Sequence, residues 1–250
     1  MSISDISVVI IAKNAEGTIQ ECLNALKAFD EVILYLNDSS DTTREVASNY
    51  NNVNIVRGNF LGFGETKNIA AIHSQNDWIL SLDSDEILNI FLIDEIKQLN
   101  LDTSNKIYKL KRNNYFLGYK TQSQDVIVRL YNKNFTQFND NTVHEKVMIP
   151  KESEVIELKH SFKHLNITNI NQTLTKIMKY TDLGSKDKKM CFFSMVIAKS
   201  FFGFFKTYLI QGNILRGWVG FALAINTANK RYYKYIKQFI NCQKEKNTLL

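Results

Sequence analysis

A single proline and three cysteines stand in 250 residues. So little proline leaves no proline-rich linker, and 44% apolar residues with 12% aromatics argue against disorder. Cys22, Cys191 and Cys242 are odd in number and form no CxxC pair. That argues against a disulfide framework and a cysteine-ligated zinc site, and it fits a reducing compartment. No apolar run reaches the roughly 18 uncharged residues of a spanning helix, because Lys199, Lys206 and Arg216 interrupt the C-terminal ones. The N-terminus, MSISDISVVI, lacks the basic region of a signal peptide, so secretion by that route is not expected. Internal repeats and low-complexity segments are missing too.

The length supports one large domain, or one domain with an appendage. The net charge of +6 is unevenly placed. Residues 176–250 carry 14 Lys/Arg against 3 Asp/Glu, a net of +11, and the rest of the chain nets −5. A basic tail on a mildly acidic body suggests a surface that meets anions, membrane head groups or nucleic acid. Within the tail, Tyr232, Tyr235, Ile236, Phe239 and Ile240 fall on one predicted helix face and Lys230, Lys234 and Lys237 on the other. Such a helix lies in a membrane interface, or its apolar face packs on the body.

Over the first hundred residues strand and helix signals alternate. Ile6–Ala12, Glu31–Leu36, Val53–Arg57 and Trp78–Asp83 read as strands. Helical segments follow each of the first three, the second capped by Ser40 or Asp41. This pattern predicts an α/β fold with a mostly parallel sheet flanked by helices. Ligands bind such sheets beyond the carboxyl ends of the strands. Three further strands are expected around KIYKLKRN, DVIVRLYN and VIELKH, then a helix with Ile170, Leu174, Ile177 and Met178 on one side.

The most telling stretch is DWILSLDSDEIL, Asp77–Leu88. Asp83 and Asp85 close a buried-looking strand, and at spacing i, i+2 two carboxylates share one side of an extended chain. They can hold a hard divalent cation, or Ser84 or Asp85 can cap a helix over Ile87–Leu99. In GFGETKN, two glycines precede a helix carrying Lys67, an arrangement that favours an anion or simply makes a turn. NDSSDTT follows the second strand, and TVHEKV offers Glu145 as a base candidate. HEKVM lacks the second histidine of a zinc protease motif, and His160 ends a strand.

Together, IIAKNAEGTIQECLNAL, EVILYLNDSSDTT, GFGETKNIA, DWILSLDSDE, RLYN with VHEKV, LKHSFKHL and GWVGFALA cover residues 6 to 225. In that order they resemble the family 2 glycosyltransferases of the GT-A fold, and more closely the lipopolysaccharide-core β-glycosyltransferases of Gram-negative bacteria. The resemblance implies a nucleotide-sugar-binding and catalytic domain over 1–182 and a basic, aromatic helical extension over 183–250. It implies that Asp83 and Asp85 hold Mg²⁺ or Mn²⁺ on a nucleotide-sugar diphosphate, with His160 as a later metal contact. Asn14, Glu16 and Lys67 would lie at the nucleotide, and Glu145 would be the base. The family writes an acidic residue directly after the second strand. Leu36 stands there in this chain, so Asp38 takes over the base contact or that contact is lost. The donor expected is a UDP-hexose, and the acceptor a lipopolysaccharide or lipooligosaccharide core, or a capsule precursor or another lipid-linked glycan. Partners would include the membrane surface but no nucleic acid, with the enzyme cytoplasmic and peripheral on the inner face of the membrane. A sugar-nucleotide nucleotidyltransferase would carry a glycine-rich basic loop after the first strand, which AKNAEG is not. A non-catalytic binding module would not need the D-x-D and the base together.

Overall fold

Strand β1 (Ile6–Ala12) is apolar at almost every position because both of its faces are covered. The computed structural model describes residues 3–141, 145–186 and 188–248. Strand β1 lies parallel between β2 (Glu31–Leu36) and β4 (Trp78–Asp83), with Val8 opposite Val32 and Leu80. Strand β3 (Val53–Arg57) adds a fourth parallel member beside β2. On one face, Val8, Ile10 and Leu80 pack with Leu23 of α1 (Ile19–Ala25) and Ile96 of α4 (Ile90–Lys97). On the other, Val9, Ile33 and Ile79 meet Ala70 and Ala71 of α3 (Phe63–Ile72). Between β2 and β3 sits the short α2 (Thr43–Ala47).

The two-residue β5 (Glu86–Ile87) and three long strands complete an eight-stranded sheet in the order β3-β2-β1-β4-β7-β6-β8-β5. Strands β6 (Lys106–Phe116) and β7 (Tyr119–Asn132) are joined by Leu117 and Gly118, both at positive φ, which suits a tight hairpin turn. β7 runs antiparallel to β4, and β5 antiparallel to β8 (Glu154–Ile167). These later strands extend beyond the sequence signals, β7 back through the polar residues 119–124, β6 on to Phe116 and β8 on to Ile167.

The chain divides into two compact units, one of residues 1–114 with 123–165, the other of 115–122 with 166–250. Helix α5 (Ile170–Ser185), which straddles the 182/183 boundary expected from sequence, belongs wholly to the second unit. It packs on α7 (Gly217–Thr248) through a threonine face: Thr173, Ile177, Thr181 and Ser185 are buried, while Ile170, Leu174 and Met178 are exposed. Only Ile177 of the apolar face expected there turns inward.

Two lysines of α7 make contacts to α5. Lys237 Nζ donates to Thr181 Oγ1 (2.8 Å) and Asp182 Oδ1 (2.7 Å), and Lys230 lies over the Tyr180 ring. Helix α6 (Phe193–Phe205) packs antiparallel along α7, a pairing that brings Cys191 beside Cys242. These two form a disulfide across 51 residues, where the sequence argued against a disulfide framework. Spacing in sequence gives no hint of it, since the helical hairpin creates the proximity. Cys22 stays free and buried.

Candidate active site

Asp83 is the last residue of β4, and the chain then turns sharply into β5. Helix α4 starts only at Ile90, where Asn89 Oδ1 accepts from Leu92 N (2.9 Å). Neither Ser84 nor Asp85 caps it, so the capping reading of the acidic cluster fails. The turn is closed from within by Glu86 Oε2, which accepts from Asp83 N (3.1 Å), and Leu165 N donates to Asp85 O (2.8 Å).

Three cations reach this turn. Lys67, almost fully buried on α3, places its Nζ 2.9 Å from Asp83 Oδ1 and 3.0 Å from Glu145 Oε1. Its ammonium also lies over the Phe138 ring. Arg129, buried on β7, contacts Asp83 Oδ2 (2.7 Å) and Glu86 Oε1 (2.5 Å) through Nη2. Arg112, on β6, joins Glu86 Oε1 (3.1 Å) to Asp125 Oδ2 (2.9 Å). The loop bearing Glu145 comes this close because Gly64 lies against Asn139 O, where a Cβ would collide.

Burial alone would raise the Asp83 carboxyl, but Arg129 and then Lys67 override it and hold the group well below the usual carboxylate range. For Glu86, with no exposed surface, burial wins over its arginine partners and pushes the carboxyl up. Five carboxylates (Asp83, Asp85, Glu86, Asp125 and Glu145) thus face three permanent cations, a surplus of two negative charges when all are ionised.

Asp85 is the least encumbered of the five. Its one ion-pair contact among the described residues is His164 Nε2, 3.5 Å from Oδ2. Asn114 donates through Nδ2 to Asp125 Oδ2 (3.0 Å) and Ser123 O (3.3 Å), so its Oδ1, 2.7 Å from His164 Nδ1, is the acceptor. With Nδ1 facing Asn114, Nε2 is the ring nitrogen turned towards the Asp85 carboxylate. His160 stands elsewhere: half exposed, it pairs with Glu95 Oε2 (2.9 Å) and stacks on Phe91. Among the described residues, no group of three His, Cys, Asp or Glu side chains is arranged around one metal position.

The first two loops are laced together. Asn14, at φ 52°, donates N–H to Ser39 Oγ (3.1 Å), and its Oδ1 accepts from Ser40 N (2.8 Å). Glu16 Oε2 accepts from Thr42 Oγ1 (2.9 Å), and Asp41 takes N–H groups from Glu16 (3.0 Å) and Thr43 (3.1 Å). Asp41, one residue before the Thr42 N-cap of α2, thereby holds the first N–H of that helix and ties down the β1 loop; partial burial would raise its carboxyl, but the Thr43 hydroxyl and these N–H bonds lower it. Asp38, also at positive φ (54°), lines a cleft of about 430 Å³ with Leu36, Ser39, Arg44, Arg57 and Gly58.

The structure thus gathers Lys67, Asp83, Asp85 and Glu145, sets Asn14, Glu16 and Asp38 in the adjoining strand-end loops, and leaves His160 apart. Arg112, Arg129 and His164 were not singled out from sequence. A signal existed, because three acids in four residues after a buried strand require cationic partners, and RLYN and KRNN supply arginines on strands. His144 lies outside the described residues.

Residues 7–149 match the family model for glycosyl transferase family 2. The chain belongs to that family. It is therefore a transferase, and the α/β fold agrees with the GT-A expectation. Similar proteins include an uncharacterized glycosyltransferase of Rickettsia felis, 28% identical over 264 residues, covering 98% of this chain and 93% of the relative. One of Rickettsia prowazekii is 28% identical over 252 residues, covering 93% and 86%. Among solved structures, S. aureus TarS 1–349 with UDP-GlcNAc aligns over 92% of this chain and 90% of that one, at 14% identity and a TM-score of 0.46. Glucosyl-3-phosphoglycerate synthase from Mycobacterium tuberculosis, with Mn²⁺ and UDP, aligns over 45% and 44%, at 22% identity and a TM-score of 0.32.

Proposed function

We propose that this family 2 glycosyltransferase moves a hexose, with inversion, from a UDP-sugar to a lipid-linked glycan of the lipopolysaccharide or lipooligosaccharide core class. One observation carries the reading. Lys67 holds the strand-end carboxylate and the base candidate, Asp83 and Glu145, each within about 3 Å of a single ammonium. A donor and an acceptor brought to this point would meet both groups at once.

The donor set suits Mg²⁺ or Mn²⁺. Asp85 offers carboxylate oxygens and His164 a ring nitrogen whose other nitrogen is already bonded. Bound there, such an ion supplies charge stabilisation for the departing diphosphate. Asp83, locked by Lys67 and Arg129, would fix the strand end against the donor. Glu145 would accept the proton of the attacking hydroxyl as that oxygen approaches the anomeric carbon from the face opposite the diphosphate. Asp38 would read the base in the cleft beyond β2, in place of the acid missing at Leu36. The basic, aromatic tail would keep the enzyme on the cytoplasmic face of the membrane, where a lipid-anchored acceptor is presented.

Calorimetric titration of UDP, with Mn²⁺ and then with EDTA, tests the donor half. Binding should vanish with the metal and fall at least about tenfold in Asp85→Asn. Glu145→Gln should still bind UDP but lose transfer by a factor of about 10²–10⁴. Unchanged metal-dependent binding in Asp85→Asn, or full turnover in Glu145→Gln, would remove those assignments.

A further inference from the structure

Helix α6 is apolar apart from Ser194, Lys199 and Ser200. Val196, Gly203 and Thr207 are buried on the side that meets α7. On the outer side Ile197, Phe201, Phe205 and Leu209 recur every four residues, all exposed. The helix continues as a π-turn over Lys206–Ile210 and ends in a tight reversal, with Gly212 and Gly217 at positive φ. There Leu215 is 88% exposed and Trp218 61%. A helix facing water shows polar residues outward; this one shows a continuous apolar ridge, larger than scattered surface hydrophobics account for. Exposed Lys186 and Lys188 precede it and Lys206 stands near its end, in a segment whose net charge is +11.

We propose that α6 and the turn after it form a lipid-binding edge that lies in the headgroup–acyl boundary of an anionic bilayer. The ridge, Leu215 and Trp218 enter the apolar layer, and the flanking lysines meet lipid phosphates. This deepens the proposed membrane-side acceptor and rests on it for its purpose. It moves the contact from the Tyr232–Ile240 face of α7 to α6, since lysines of α7 are engaged with α5. By length and composition Phe193–Ile210 could cross a membrane. Its packing partner α7 carries Lys230, Arg231, Lys234 and Lys237, however, which crossing would drag into hydrocarbon. A second copy of the chain suits the ridge less well, because two-fold pairing would set two strongly positive segments against each other.

Vesicle flotation of the full chain, without donor or acceptor, tests this. Wild type should float with phosphatidylcholine vesicles containing phosphatidylglycerol and much less with phosphatidylcholine alone. The double variant Phe201→Ser/Leu215→Ser should lose about tenfold or more of its partitioning. Leu215→Ser, at the most exposed position, guards against a folding defect, and UDP binding on the same samples reports an intact first unit. Failure of wild type to float, or flotation undiminished in both variants, would overturn the inference. So would a wild-type dimer in light scattering that the double variant dissociates while neither binds vesicles. A wild type that floats but does not bind UDP keeps the lipid edge and removes the donor reading.

Discussion

Replacing Arg129 with Met takes a guanidinium from between Asp83 and the fully buried Glu86. A buried acid left with less compensation is costly, so Arg129→Met should destabilise by about 3–5 kcal/mol; urea unfolding at neutral pH reads this directly. The acid limb of stability should carry Asp83's signature. Its native pKa lies below the unfolded one, so its contribution is whole above about pH 4 and is lost as pH falls through the native value. Glu86 has the opposite sign, contributing at low pH and losing that contribution as pH rises through its elevated value. The urea midpoint of Asp83→Asn should therefore fall less steeply than that of wild type on acidification from about pH 5 to 2. At this scale the sequence made Asp83, Lys67 and Glu145 visible through motif order. It hid Arg129, since an arginine in an alternating strand has the pattern of a surface residue. The β5–β8 register, which sets Glu86 opposite His164, is why His164 faces Asp85 while His160, four residues earlier on the same strand, does not.

Among the elements, strands β1, β2 and β4 were legible because burial on both faces writes a continuous apolar run, and the half-buried edge strand β3 through Val53, Ile55 and Val56. The long β6, β7 and β8 were legible only where their apolar cores lie. Helix α5 reversed its expected orientation, since polar partners on α7 (Lys237, Gln238 and Asn241) engage its threonine side and terminal carbonyls. The pairing of α6 with α7 closes the Cys191–Cys242 loop. Cys191→Ser should destabilise the second unit by about 2–4 kcal/mol, seen as a lower thermal midpoint that a reductant no longer moves.

For the molecule as a whole, two compact units imply two folding transitions unless their unfolding is coupled. UDP with Mn²⁺ at about a hundred times its dissociation constant should raise the first unit's transition by about 2.7 kcal/mol, while reductant lowers the other. A single calorimetric peak moved by both would mean that the units unfold together. The hairpin tip at Leu117 and Gly118 bears on ancestry. Because residues 115–122 belong with the tail, the polypeptide passes from one unit to the other three times. A truncation after Leu165 would orphan that tip, and a tail grafted onto another transferase would arrive without it. Body and tail therefore have to be inherited, and to diverge, together.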